Sequence, residues 1–480
     1  MEHLASFRLE PGRRTELWQR LIAAIESYLN DVDRARVTPE LDLQKIRSLL
    51  APYDFRHAMD PLAALDAVVE GLWQYQVHTP HASYFGLFNP APTTMGIAAD
   101  ALVAAFNPQL AAWSHSPLAA EIEQHLVRAF GQRFGFETAQ VDGTFTNGGA
   151  EANHTALLTA LVHSFPEFAK AGVRGLAAQP VLYVSTQSHH SIAKAARLCG
   201  LGTDAVREVA INSDWQMDVD LLAAQIAKDR RTGAAPFFVV ATAGTTNAGV
   251  IDPLPRLADL AAREKLWLHV DAAWGGAAVL APELRPVLNG IERADSITFD
   301  AHKWLSVPMA AGIYLTRHRN LLTRTFRIAT SYMPRDAAEL DIVDPYSHSI
   351  QWSRRFIGLK VFLSLAVAGW EGYAAAIRHQ TAMGDLLRHE LAAAGWKVVN
   401  KTRLPVVCFV DGTIPDGAST GHAEALTRAV VTSGKAWISS IRIDDQTAAL
   451  RACITNYRTG PEEVRALVET MQWARTEIRK

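Results

Sequence analysis

The chain has 480 residues, with 47 Lys plus Arg against 49 Asp plus Glu, a formal net charge of -2 and a hydrophobic fraction of 49%. That length and apolar content suffice for a buried core in two or three lobes and exclude a disordered solvating protein. The cancelled charge supplies no bulk attraction for a polyanion, which argues against nucleic-acid binding.

The first fourteen residues include Glu2 and Glu10 and have no apolar run of the secretory kind. Trp18, Leu21, Ile22, Ile25, Tyr28 and Leu29 recur at helical spacing. Thr38-Pro39 and Asp60-Pro61 each read as an N-cap followed by proline at the first helical position. A loop rich in His, Pro and aromatics covers 78–92, and helical patterns follow at 95–106 and 118–134.

From Gly143 the texture changes. Short apolar or β-branched runs at 181–185, 237–242, 267–270, 296–299 and 312–315 alternate with helical patterns at 151–163, 192–199, 219–228 and 254–265. Strands separated by helices imply an α/β fold with a mostly parallel sheet, whose ligand lies beyond the carboxyl ends of the strands. After Gly372 come a long helix, strand-like runs at 397–399, 406–410, 436–443 and 451–455, and a last helix over 462–478. These divide the chain into a helical N-terminal arm (1–85), a large domain (86–372) and a small α+β domain (373–480). Lys360 and Glu371 bound the apolar run 361–370 too closely for a bilayer span. Cys199, Cys408 and Cys453 are scattered with no CxxC pair, which suits a reducing compartment; a soluble, cytoplasmic protein is expected.

The unusual polar residues fall at the ends of the expected strands. Asp271 lies in His269-Val-Asp-Ala-Ala-Trp-Gly-Gly276, and Lys303 in Asp300-Ala-His-Lys-Trp304. The strand through Val240 runs into Thr242-Ala-Gly-Thr-Thr246, and the one through Val181 into Gln187-Ser-His-His-Ser191. Thr144-Phe-Thr-Asn-Gly-Gly-Ala-Glu151 reads as a small-residue loop opening a helix, where backbone N–H groups and the helix dipole favour an anion. Each feature alone has an ordinary reading: a plain turn, a snorkelling lysine, a structural ion pair or satisfied loop imidazoles. Together they meet the needs of pyridoxal phosphate (PLP): a lysine for its aldehyde, a carboxylate for its pyridine nitrogen, a plate for its ring and an anchor for its phosphate. Apolar surroundings, which disfavour an ammonium, would suit Lys303 to that task.

In these motifs, and in Thr146-Asn-Gly-Gly-Ala-Glu-Ala-Asn153, Gly244-Thr-Thr246 and Arg354-Arg-Phe356, the chain resembles the group II PLP-dependent decarboxylases. That family includes aromatic-L-amino-acid, glutamate, histidine and diaminobutyrate decarboxylases. The resemblance runs from about Trp73 into the C-terminal lobe. It implies the aspartate-aminotransferase (fold type I) architecture and a homodimer with sites at the subunit interface. By resemblance Lys303 would hold the cofactor covalently, Asp271 would pair with its ring nitrogen, His189 would stack on the ring and Ala273 would pack on the other face. Thr246 would contact the cofactor or the substrate carboxylate. Gly149, Ala150, Asp300 and His302 would surround the phosphate, although some relatives have Asn or Ser in place of Asp300. The segment between Thr316 and Arg354 matches the family's mobile loop, with Tyr332 as proton donor to Cα and Tyr346 as the other candidate.

The expected reaction is decarboxylation of an L-amino acid; by the resemblance His81, Tyr84, Phe85 and Trp113 would lie in segments that shape the substrate pocket, and such side chains suit an aromatic substrate. Arg451 or Arg458 would instead favour an acidic substrate, and a diamino acid is a further alternative. The same cofactor also supports oxidative deamination or transamination. A metal-dependent hydrolase built on His189, His269, Asp271 and His302 would leave Lys303 unexplained, so no metal is expected. A silent binding protein is the last alternative.

Overall fold

The computed structural model describes residues 7–328, 342–414, 419–442 and 448–479. Seven strands form the larger sheet: β1 (Asp142–Thr146), β2 (Pro180–Ser185), β3 (Val206–Val209), β4 (Ala235–Thr242), β5 (Trp267–Asp271), β6 (Ser296–Asp300) and β7 (Gly312–Thr316). Their spatial order is β1-β7-β6-β5-β4-β2-β3. The run from β6 to β3 is parallel, and β7 lies antiparallel to both β6 and β1.

The continuous apolar runs of these strands follow from burial on both faces. Val181, Tyr183, Val239, Ala241, Leu268 and Val270 enter one core cluster. The alternate residues Leu182, Val184, Phe238, Val240 and Trp267 enter another on the opposite face. The larger of these side chains contribute about 1.5–3 kcal/mol each when fully buried, so the sheet is firmly anchored on both faces as a platform for a site.

The helices follow the sequence pattern closely. In the first part lie α1 (Pro11–Asp31), α2 (Leu43–Leu50), α3 (Pro61–Tyr75), α4 (Thr94–Phe106) and α5 (Pro117–Arg133). Those against the large sheet include α6 (Gly149–Ser164), α7 (Ser191–Leu198), α8 (Val219–Arg231), α9 (Leu254–Glu264) and α10 (Leu321–Phe326). Asp60 caps α3 through Leu62 N and Ala63 N, with Pro61 at the first helical position, as expected. Thr38-Pro39 starts no helix. Asp42 performs that capping four residues later, its carboxylate accepting from Gln44 N and Lys45 N. Two strands differ from the sequence reading. Residues 142–146 form β1 rather than a loop, because the antiparallel partner β7 covers them, and β3 is a short edge strand beside β2.

The long helix α11 (Gly358–Ala393) begins well before residue 372 and passes it, with its one non-helical residue at Gly369. It leads into a four-stranded antiparallel sheet of β8 (Trp396–Val398), β9 (Val406–Asp411), β10 (Ser439–Arg442) and β11 (Ala448–Cys453), in the order β10-β11-β9-β8. Helices α12 (Thr420–Ser433) and α13 (Pro461–Glu477) cover it, and Leu426, Phe409, Leu450 and Met471 share its core.

Candidate active site

The strand ends converge as a parallel sheet requires. Register sets Thr242 beside Asp271, Asp271 beside Thr298, and Asp300 beside Gly312 at the start of β7. Gly312 in turn faces Thr146 at the end of β1. A Cβ there would lie 2.5 Å from Thr146 Oγ1 and 2.8 Å from Asp300 Oδ1, so only glycine lets the three strand ends close up. Gly149, the first residue of α6, is similarly confined: a Cβ would meet Asp300 Oδ2 at 3.0 Å and Ala273 Cβ at 3.3 Å. Helix geometry leaves the N–H groups of Gly149 and Ala150 without intrahelical acceptors, and Gly149 lies beside Asp300 and Gly148 beside His302. This small-residue cup with its orphan donors has the chemistry of a phosphate anchor.

Lys303 Nζ lies 3.0 Å from Asp300 Oδ2, and that carboxylate is 1% exposed. Its surroundings are therefore ionic on one side rather than apolar throughout as the sequence suggests. Asp300 Oδ1 is buried with no partner among the described residues. On the other side of Lys303 Nζ is the ring of Phe88, 6.0 Å away, itself stacked on Trp274 at 4.5 Å and 20°. His302 Nδ1 accepts from Ala311 N at 3.2 Å, and Nε2 lies 3.9 Å from Asp300 Oδ2. Burial holds the His302 imidazole below its usual range, with Asp300 opposing.

Asp271 is buried and held from two sides. Oδ1 accepts from Ala273 N at 3.1 Å and Oδ2 from Asn153 Nδ2 at 2.8 Å. Asn153, on α6, also donates to Ser191 Oγ at 2.8 Å, and Ser191 Oγ is 2.8 Å from His189 Nδ1. Burial lowers the pKa of His189, with the Asp271 carboxylate pulling the other way. Behind Asn153 sits His269, its Nε2 3.0 Å from Asn153 Oδ1 and its Nδ1 2.8 Å from Ser296 Oγ. His269 is 0% exposed, and burial drops its pKa to about 4. Both its ring nitrogens are thus engaged by protein groups. Asn153, Ser191 and Ser296 are site-supporting residues that the motif reading does not single out. Their signal is the run of polar residues on one face of two buried strands: His269 and Asp271 on β5, and Ser296, Thr298 and Asp300 on β6.

Thr246 lies half-buried on the loop after β4. Asp252 anchors that loop's return, its two oxygens accepting from Met217 N and Thr242 N, each at 2.7 Å. The small lobe holds its tip, with Asn400 Nδ2 donating to Ala248 O at 2.8 Å and Thr402 Oγ1 to Gly249 O at 2.7 Å.

The residues expected at the substrate pocket scatter. Phe85 is fully buried in the core of the small lobe, its carbonyl accepting from Cys453 N at 2.9 Å. Tyr84 packs on Trp437, with ring centroids 5.3 Å apart, and its hydroxyl accepts from Leu87 N at 3.1 Å. His81 Nδ1 accepts from Ser83 N at 2.8 Å. Trp113 Nε1 donates to Glu121 Oε1 at 2.9 Å. Phe88, three residues beyond Phe85, is the ring that faces Lys303. Arg451, 2% exposed, sets its guanidinium 4.9 Å from the same Phe88 ring, and its Nε has no hydrogen-bond partner among the described residues. Arg458 instead pairs with Asp33 and donates to Leu29 O at 3.1 Å. Tyr346 packs on Trp352 at 4.9 Å; Tyr332 lies outside the described residues.

A family model described as the pyridoxal-dependent decarboxylase conserved domain matches residues 44–411. An aromatic-L-amino-acid decarboxylase of Bacillus atrophaeus is 30% identical over 467 residues, 96% of this chain and 95% of that protein. An L-2,4-diaminobutyrate decarboxylase of Rhizobium meliloti (strain 1021) is 36% identical over 418 residues, 82% of each chain. The crystal structure of mouse CSAD superposes with a TM-score of 0.90 at 25% identity, over 97% of this chain and 99% of that one.

Proposed function

The chain belongs to the pyridoxal-dependent decarboxylases, and from that premise we propose that its substrate is an aromatic L-amino acid. It is a PLP-dependent amino-acid decarboxylase of fold type I, as the motifs imply. The observation that carries the aromatic reading is the Phe88–Trp274 stack whose outer ring faces Lys303 Nζ at 6.0 Å. An aromatic wall beside the reactive amine offers a planar side chain apolar and edge contacts.

The residues fit the cofactor. Lys303 Nζ would hold its aldehyde carbon, Asp271 would face its ring nitrogen, and His189 and Ala273 would cover the two faces. Gly149, Ala150 and His302 would surround the phosphate together with Asp300, and Thr246 would reach the cofactor or the substrate carboxylate. When bound, the cofactor supplies an electron-accepting ring onto which the Cα–carboxylate bond can break. The protein's part is placement and proton management. Asp300 Oδ2, 3.0 Å from Lys303 Nζ, is placed to take the ammonium proton that must leave before the amine can react. Asp271, doubly hydrogen-bonded, stays an acceptor. Tyr332, with Tyr346 as the alternative, would deliver a proton to Cα.

A second reading has its own observation. The guanidinium of buried Arg451 lies 4.9 Å from the Phe88 ring that Lys303 Nζ also approaches. Its Nη1 donates to Gly86 O at 2.8 Å, and its unpartnered Nε is a place for a second carboxylate, which favours an acidic substrate. A panel of aromatic, acidic and diamino acids separates the two, scored by CO2, amine, aldehyde and peroxide, with Lys303→Ala as blank. Aromatic turnover to CO2 and amine in equal amounts is expected. Preference for an acidic amino acid, lost in Arg451→Met, would replace the aromatic reading, and aldehyde with peroxide would replace simple decarboxylation.

A homodimer is proposed on the state of the arm. Helices α1, α2 and α3 contain no buried residue, and Trp18, Ile22, Val68 and Leu72 are exposed on them. Surface of that kind on a folded arm calls for a partner, and sedimentation at twice the chain mass is the expected result. The division into arm (1–85), large domain (86–372) and small domain (373–480) is the matching working arrangement. Among the described residues no helix is long and apolar enough to cross a membrane, and all three cysteines are buried and free; a cytoplasmic location is proposed on the cysteines.

A further inference from the structure

With Asp271 as a carboxylate, the hydrogen bonds behind Asp271 and His189 run in a consistent direction. Asp271 Oδ2 is a carboxylate oxygen, so the Asn153 atom 2.8 Å from it is the amide nitrogen. Asn153 Oδ1 is then turned to His269 Nε2 at 3.0 Å and can only accept, which places a proton on that Nε2. His269 is fully buried with no carboxylate hydrogen-bonded to it among the described residues, so it is neutral and its Nδ1 accepts. The proton in that bond is the hydroxyl hydrogen of Ser296, whose oxygen meanwhile accepts from Trp267 Nε1 at 2.9 Å. On the other branch, Ser191 Oγ receives the second amide hydrogen of Asn153 and passes its own to His189 Nδ1. The backbone N–H of Ser191, 3.3 Å from the same Nδ1, can only donate, which fixes that nitrogen as an acceptor too. Along the line from Trp267 through Ser296, His269 and Asn153 the donors therefore run toward the site, with Thr298 Oγ1 also 3.3 Å from His269 Nε2.

The sheet explains why this line exists. Trp267, His269 and Asp271 alternate along β5, and Ser296 and Thr298 along β6, in direct register. All five lie on the face covered by α6, which brings Asn153 over them. Residues of period two on neighbouring strands thus form one polar seam in a wall that is otherwise apolar.

We propose that Asn153 is a positioning residue for the cofactor. Its amide, oriented by neutral His269, holds the Asp271 carboxylate in place toward the pyridine nitrogen and, through Ser191, leaves neutral His189 with its one proton on Nε2. The two groups assigned to the ring are thereby set by a single side chain rather than independently. The inference rests on the placement of Asp271 at the ring nitrogen, and the test separates the two.

The test uses full-length protein stripped of cofactor and titrated with PLP from pH 6 to pH 9, read by tryptophan quenching and by the visible band of the bound cofactor. Asn153→Asp reproduces the donor to Asp271 only while its carboxyl is protonated. The expected result is near wild-type affinity at pH 6, a loss of tenfold or more by pH 8.5, and a pH-shifted visible band, where wild type changes by less than threefold. His269→Phe keeps a ring beside Phe238, 5.8 Å away and nearly parallel, but removes the donor to Asn153. It is expected to weaken PLP several-fold, and it decides the matter if Asn153→Asp does not fold. Asp271→Asn is measured alongside. Wild-type affinity and pH profile in Asn153→Asp and His269→Phe, with Asp271→Asn impaired, overturns the positioning role alone. An unimpaired Asp271→Asn overturns the placement of Asp271 itself.

Discussion

Asp300→Asn tests how the site balances a carboxylate beside a phosphate cup. In the structure Asp300 Oδ2 is 3.0 Å from Lys303 Nζ, with side-chain exposures of 1% for Asp300 and 25% for Lys303, and Oδ1 is buried without a partner. A hydrogen bond between charged groups contributes about 1.5–3 kcal/mol. Keeping the shape while removing the charge leaves Lys303 a neutral amide oxygen, so the apoprotein should lose roughly 1–2 kcal/mol of that. Bonding of Lys303 Nζ to the cofactor aldehyde would consume the ammonium, so the loaded variant would be spared most of that loss. Linkage turns the difference into affinity, about 5- to 30-fold tighter PLP at 1.4 kcal/mol per factor of ten. The Asn Nδ2 adds a donor where the wild type aims an unpartnered oxygen. The assay pairs calorimetry of the apoprotein, expected to melt about 1–4 °C lower, with PLP titration. An unchanged apo melting temperature together with equal or weaker PLP binding would refute the reasoning.

Other outcomes follow from the same geometry. Burial brings the His269 pKa to about 4 in the folded chain, below the ordinary imidazole value of about 6.5. The unfolded chain therefore binds the extra proton first, and about 3 kcal/mol of stability present above pH 6.5 is lost on descending to pH 4. Asp252, pushed up to about 6 by burial, works in the opposite sense over the overlapping range, so the check is a comparison: chemical denaturation of His269→Phe should show a flatter acid limb than wild type. Arg354 Nη2 meets Glu123 Oε2 at 2.6 Å with exposures of 2% and 4%. Arg354→Met strands a buried carboxylate and should cost about 3–5 kcal/mol, most of it recovered by adding Glu123→Gln, as urea titration would show. Gly149→Ala places a methyl 3.0 Å from Asp300 Oδ2. It should destabilise by about 1–3 kcal/mol through overpacking and weaken PLP at least tenfold; wild-type affinity in that variant would remove Gly149 from the cofactor cup.

The parts of this site that are legible in one dimension are those the chain makes locally. Asp271 and Lys303 end their strands in motifs of a few residues, so their chemistry, order and spacing can be read directly, and the alternation of strand and helix gives the sheet that presents them. The turn at Gly148-Gly149 is visible for the same reason. Whatever depends on a partner distant in sequence is not. Residues 142–146 carry little strand signal and are a strand because β7 lies against them. Asp300 looks like a phosphate neighbour and is also the counter-ion of Lys303. Phe85 and Phe88 are equivalent aromatics until β11 draws the Phe85 backbone into the small lobe and leaves Phe88 facing the lysine.

The seam from Trp267 to Asn153 is the instructive intermediate case. Its members come from β5, β6, α6 and the start of α7, and no local motif joins them. Yet a strand buried on both faces that carries His269 and Asp271 two residues apart, next to one carrying Ser296 and Thr298, has committed four polar side chains to an interior that penalises each unless it is bonded. The covering helix must then supply amide or hydroxyl groups, and among its buried residues α6 offers Asn153 directly over the strands. The period-two pattern therefore requires a hydrogen-bonded relay without identifying its members. Register and helix packing select those members, and the Asp271 carboxylate at the end of the line orients the Asn153 amide.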